Sequence, residues 1–240
     1  MSALPTVVSE FASAFGAADC ALSATAEAAQ WVDSALFSRI AADVRARGYS
    51  VCPGALPPVL AGGLLEHLHS MSDSRFTRAG VGRKHGHTLN DFVRTDEISW
   101  INGESVAGQQ WLAWAGALQQ HLNRELLLGL FSFESHFAHY GPGDFYRKHM
   151  DAFRGEANRV LSLVAYLNPG WQMGEGGELR LFTGPESGAM LSVQPLLGTL
   201  VVFLSEEFPH EVLPASRDRY SIAGWFRVNG SNGARVDPPR

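Results

Sequence analysis

Only two cysteines, Cys20 and Cys52, occur in the 240 residues. They are too few for a disulfide framework and lack metal-ligand spacing, which fits a reducing compartment. Positive charge is not in excess either: 19 Lys and Arg stand against 24 Asp and Glu. Without a basic footprint, nucleic acid is not an expected partner. No apolar run approaches the roughly 20 residues of a membrane-spanning helix, so no membrane partner is expected. The opening Met1-Ser2-Ala3-Leu4-Pro5 has no basic region and Glu10 follows, which does not read as a secretory leader. These absences together give the expectation of a cytoplasmic protein.

What is present is a chain whose periodicity changes half-way. Residues 1–28 are rich in Ala and Ser with little charge, and read as a flexible extension. From Ala29, Trp31, Leu36, Ile40 and Val44 recur near helical spacing until Gly48. A short strand over 49–51 precedes the Pro57-Pro58 break, and a second helix spans 60–71. His67 and His69 sit two apart on it, so they point to different sides and do not chelate together. The basic, glycine-containing stretch 79–91 reads as a lid; its His85-Gly86-His87 finds no third ligand nearby. An amphipathic helix over 106–129 then carries Trp111, Trp114, Leu118 and Leu122.

After Gly129 the alternation is two-residue. Phe131, Phe133, Ser135, Phe137 and His139 share one strand face; Ser132, Glu134, His136 and Ala138 share the other. Strand-like runs follow over 145–151, 159–167, 177–182, 188–193, 200–203 and 220–228. Helices first and strands afterwards argue for one α+β domain over 29–228. A double-stranded β-helix (jelly roll), its core about 131–228 and its N-terminal helices packed on one sheet, accommodates this count. The tail 229–240, rich in Gly, Pro and Asn, reads as loose.

The chemistry sits in His149-Met150-Asp151 and Pro209-His210-Glu211. On an extended strand His149 and Asp151 share a face. With His210 brought in by the fold they form a 2-His-1-carboxylate set, which leaves metal positions open and suits non-haem Fe(II) oxygen chemistry. Nine residues after His210, Arg219 opens another strand-like run that includes Ser221 and Trp225. Its planar fork can hold the far carboxylate of a dicarboxylic co-substrate. Trp225 reads as packing beside the metal ligands.

With those residues in hand, the segment from about Arg94 to Val228 resembles the 2-oxoglutarate/Fe(II) dioxygenases. Within them it is similar to the prolyl hydroxylases of the hypoxia-inducible-factor type. Tyr140-Gly141-Pro142-Gly143-Asp144-Phe145-Tyr146 resembles the lead-in to that family's HxD, and Gly176-Gly177-Glu178-Leu179-Arg180 its GG-x-L-R strand. Arg94-Thr95-Asp96-Glu97-Ile98-Ser99-Trp100 resembles its RxDxxxW segment. The resemblance implies Fe(II) on His149, Asp151 and His210, with 2-oxoglutarate and O2 as co-substrates and ascorbate as an accessory reductant. It implies a co-substrate pocket of Arg219, Tyr166, Tyr140 and Ser221. It also implies that Arg94, Asp96, Trp100 and Arg159 face a proline-containing protein partner.

Plainer assignments stand beside these. Arg94 and Asp96 can be a solvated surface pair, and Trp100 an ordinary core aromatic. His136 and His139, three apart on a strand, face opposite sides and read as packing residues. The whole chain can also be a hydroxylase of a small molecule, or a jelly-roll module that binds metal without turnover. An intact Arg219 counts against the last, since a pure metal binder has no use for a carboxylate clamp.

Overall fold

The computed structural model describes residues 31–80, 92–152, 158–184 and 188–230. The extension expected over 1–28, the His85-Gly86-His87 loop and the tail beyond residue 230 lie outside them.

Helix α1 spans Ser34–Arg47 and begins later than its periodicity predicts, because Asp33 caps it by accepting from Ala35 and Leu36 N–H. Gly48, with φ of 80°, closes it in the left-handed conformation. Strand β1 (Tyr49–Cys52) follows. Helix α2 (Pro58–Ser70) starts on Pro58, whose fixed φ suits the first helical position. Helix α3 (Val106–Leu126) is capped by Ser105 and buries Trp111, Trp114, Leu118 and Leu122. It stops at Leu126 rather than Gly129: Leu127 turns left-handed, and the Asn123 amide takes both the N–H and the carbonyl of Leu130.

The remaining strands are β2 (Thr77–Arg78), β3 (Glu97–Trp100), β4 (Leu130–Tyr140), β5 (Tyr146–His149) and β6 (Arg159–Tyr166). After them come β7 (Leu179–Phe182), β8 (Met190–Val193), β9 (Leu200–Leu204), β10 (His210–Val212) and β11 (Arg219–Val228). They form two antiparallel sheets, ordered β1-β9-β6-β11-β4-β3-β2 and β5-β10-β7-β8. This is the double-stranded β-helix expected, with β2, β3 and β10 as strands that the periodicity had not marked.

Side-chain alternation divides the interior into two layers. Phe133 and Phe137 of β4, Leu161 and Leu163 of β6, Leu200 and Val202 of β9 and Ile222 and Phe226 of β11 pack under the three helices. The opposite faces supply Ala138, Tyr140, Tyr166, Val201 and Phe203, which meet Leu179, Leu181 and Val212 of the smaller sheet. That is why β9 reads as an unbroken apolar run: both of its faces are covered. The helices stiffen one side of the larger sheet, and its other side is left to line a cavity. No helix among the described residues is long and apolar enough to cross a membrane.

Candidate active site

His149 ends β5 and pairs across the smaller sheet with His210, which opens β10. Strand alternation is not what brings Asp151 to them, because β5 ends at His149 and Asp151 sits in the bend beyond. His149 Nε2 and His210 Nε2 each lie 3.7 Å from a different oxygen of Asp151. One ligand atom from each of the three residues lies within 4.8 Å of the others. His149 Nδ1 faces the Arg147 carbonyl at 2.8 Å and His210 Nδ1 the Phe208 carbonyl at 3.1 Å. A carbonyl only accepts, so each neutral ring carries its proton on Nδ1 and turns a bare Nε2 to the centre. Burial, then the neighbouring His210, pushes the His149 pKa down to about 3. Burial opposes the charge on Asp151, but the two imidazoles and the Ser162 hydroxyl outweigh it and hold the carboxyl below its ordinary range. Ser162 donates to Asp151 Oδ2 at 2.6 Å and meets Ser205 Oγ at 2.9 Å. Trp225 Nε1 makes no hydrogen bond of normal geometry, yet it lies close enough to Asp151 to favour the charged carboxylate.

A cavity of about 970 Å³ joins this cluster to Arg219. Arg219 opens β11 opposite Tyr140 and is 1% exposed. Its Nε donates to the Gly177 carbonyl at 2.8 Å and its Nη1 to Ser221 Oγ at 3.2 Å. The rings of Tyr140 and Tyr166 stand 4.9 and 5.2 Å from the guanidinium carbon. The Tyr166 hydroxyl is buried beside it with no hydrogen-bond partner of normal geometry. Burial raises the Tyr166 pKa to about 12 against the pull of Arg219, so the phenol stays a donor. An unpartnered buried donor beside a buried cation fits a carboxylate.

The residues expected on the substrate side are also here, but not in their plainer forms. Arg94 and Asp96 are no solvated pair: Arg94 Nε and Nη2 reach the two oxygens of a fully buried Asp96 at 2.7 and 2.6 Å. Burial works against the Arg94 charge, and Asp96 more than restores it, raising its pKa. Trp100 is no core aromatic, being 52% exposed at the cavity mouth. Arg159 is gripped by Glu134 at 3.0 and 2.7 Å, its guanidinium carbon 3.6 Å from the centre of the Trp225 ring.

Several residues here were assigned no role from the sequence. Tyr146 stacks on His149 at 3.5 Å between centroids, and Arg94 lies over its other face at 4.2 Å. Three residues apart on a regular strand, Tyr146 and His149 would oppose each other. An irregularity sets two residues of β5 against Glu211 alone and returns Tyr146 to the side of His149. Ser162, Ser205 and Glu134 carried no signal at all, since hydroxyls and carboxylates on strands are common.

The comparisons with known proteins agree with this geometry. Residues 135–227 match the model of the 2OG-Fe(II) oxygenase superfamily. A Pseudomonas putida prolyl-4-hydroxylase structure is 40% identical with a TM-score of 0.73, covering 81% of this chain and 100% of its own. The chain belongs to the 2-oxoglutarate/Fe(II) oxygenase superfamily. Among this oxygenase's curated relatives, the human prolyl hydroxylase EGLN3 is 28% identical over 163 residues, 62% of each chain. Human Egl nine homolog 1 is 30% identical over 60% of this chain and 38% of its own. The oxygenase thus spans about three fifths or less of these mammalian relatives. Its His-Asp-His cluster fits the Fe(II), and its Arg219 pocket fits the 2-oxoglutarate, for which the family is named.

Proposed function

We propose that this oxygenase is a protein prolyl 4-hydroxylase, in which His149, Asp151 and His210 hold Fe(II) and Arg219 holds 2-oxoglutarate. The observation that carries the reading is a cavity that joins a cluster of three metal-ligating side chains, a buried arginine at its inner end and a partly exposed tryptophan at its mouth. When bound, the two groups supply dioxygen activation coupled to decarboxylation of 2-oxoglutarate to succinate and CO2. The protein's own work is placement. Arg219 takes the distal carboxylate in its fork, Tyr166 donates to the same group, and Ser221 fixes the guanidinium from behind. Tyr140, with its phenol kept protonated by burial, is a donor facing the co-substrate nearer the metal. Ser162 and the two carbonyls on the Nδ1 atoms keep the ligands aimed. Holding the substrate carbon beside the metal falls to Arg94, Asp96, Trp100 and Arg159, and such positioning accounts for a large part of the barrier lowering.

Support for a prolyl substrate comes from the similarity to the Pseudomonas prolyl-4-hydroxylase and to the prolyl hydroxylase EGLN3, together with Arg94, Trp100 and Arg159 on the cavity wall. The partner is a protein segment containing proline. A cytoplasmic place of action is supported by the low cysteine content. The test is succinate formation from 2-oxoglutarate with Fe(II), with and without a library of proline-containing peptides. Stimulation confined to peptides with proline is expected. Slow succinate formation that no peptide stimulates would return the substrate to the small molecules. No succinate from folded, iron-loaded protein would leave a binding module.

A further inference from the structure

Two of the cations that line the cavity, Arg94 and Arg159, are not free to act as simple clamps. Arg94 spends its fork on Asp96, and Arg159 on Glu134. Glu134 is also 3.6 Å from Arg227, so both carboxylates of this wall are engaged as well. His136 is different. It stands on the inward face of β4, opposite Trp100 on β3 and Ala223 on β11, and lines the cavity while only 4% exposed. Its ring is held edge-on to Trp100 at 5.2 Å and tilted to Trp225 at 5.5 Å. Nδ1 lies 3.1 Å from the Phe137 carbonyl, which accepts only, so the neutral ring keeps its proton there and leaves Nε2 as an acceptor. Burial, with Arg94 and Arg159 adding to it against Asp96, lowers the pKa to about 4, which keeps the ring neutral near pH 7.

We propose that His136 is a specificity-determining residue whose Nε2 accepts a backbone N–H of the polypeptide next to the target proline. The inference rests on the protein-prolyl reading above. Proline has no N–H of its own and an apolar ring, so the polar match to an acceptor on this wall comes from a flanking amide. A flanking amide is present whatever the neighbouring side chains are. An acceptor buried between two indoles and left unmatched would penalise any ligand lacking that donor, which is how a site rejects an analogue.

The test compares wild type, His136→Met and His136→Gln, each loaded with iron and 2-oxoglutarate, on the peptides of a proline-containing library that the wild type hydroxylates. Methionine fills the space without accepting well, while glutamine restores a carbonyl acceptor. His136→Met is expected to raise peptide KM about tenfold, the scale of one unpaired donor. The KM for 2-oxoglutarate is expected to move by no more than about twofold, with His136→Gln recovering most of the peptide loss. N-methylation scanned over the flanking amides should find one position that costs the wild type about tenfold and His136→Met almost nothing. Equal peptide KM in wild type and His136→Met, or a loss shared by kcat and the 2-oxoglutarate KM, would overturn the inference while leaving prolyl hydroxylation in place. A library in which no peptide is hydroxylated would remove the prolyl reading and this inference with it.

Discussion

On the proposed reading His149, Asp151 and His210 hold the metal as one unit, so the loss of any one should remove the centre. His149→Ala or Asp151→Ala should lower succinate formation at least about 100-fold with the fold retained by circular dichroism. Retained turnover in either variant would contradict the ligand set. Ser162→Ala is a subtler case: it frees one oxygen of Asp151 and should weaken Fe(II) binding by about tenfold, read by metal titration. Arg219→Ala should raise the 2-oxoglutarate KM by on the order of 100-fold, since charged hydrogen bonds in a buried site are lost together. The depressed His136 adds a pH effect. Its ordinary value of 6.5 falls to about 4 in the fold, so between those values the unfolded chain binds a proton that the folded chain does not. Stability is therefore fully kept above pH 6.5 and lost as the pH falls toward 4, by about 3 kcal/mol at most. Urea midpoints of the metal-free protein at pH 7.5 and 5 should draw apart less in His136→Gln than in wild type; an equal spread would remove His136 as the source. At this scale, residues whose chemistry is rare were legible: an HxD, a distant His and an Arg nine residues on. Ser162, Glu134 and Tyr146 were not, because their roles arise from neighbours that only the folded sheets bring to them.

At the scale of elements, the turn before β7 shapes the co-substrate end. Gly177 has a φ of 72°, and a Cβ there would lie 3.1 Å from Arg219 Cδ and 3.1 Å from Trp171 Cζ2. Its carbonyl also accepts from Arg219 Nε. Gly177→Ala is strained in this conformation by about 1 kcal/mol and pushes on the arginine it should support. The expected result is a raised 2-oxoglutarate KM with peptide KM little changed, and a variant with wild-type KM would contradict the coupling. Elements long and strongly periodic, such as α3, β4, β6 and β11, were legible because one face or both are covered by the core. β10 was not, being only three residues long, and β3 was hidden inside a polar segment whose Asp96 is buried by an ion pair. The end of α3 was misplaced because Leu127 takes a left-handed conformation that leucine rarely adopts.

At the scale of the molecule, the proposed metal ligands come from both strands of the β5–β10 pair and the bend beyond β5, while Arg219 comes from the larger sheet. Held there, metal and co-substrate would cross-link the two sheets and bind only the folded state. Mn(II), a redox-quiet stand-in for Fe(II), given with 2-oxoglutarate at about 100 times its Kd, should add about 2.7 kcal/mol. In a chain of this size that raises the Tm by about 5–10 °C, and a chelator should remove the gain. Asp151→Ala should show no such rise. The jelly-roll architecture with helices on one face was legible from the change of period at Gly129. The position of the cavity was not, since it depends on which side of the larger sheet the helices cover.

The most direct test of the central claim is hydroxylation of a proline-containing peptide by the Fe(II)- and 2-oxoglutarate-loaded protein under isotopically labelled dioxygen, read by mass spectrometry. The account predicts one labelled oxygen on proline, with succinate formed in step and both lost in Asp151→Ala. Succinate formed without any labelled proline, or label that persists in Asp151→Ala, would contradict it.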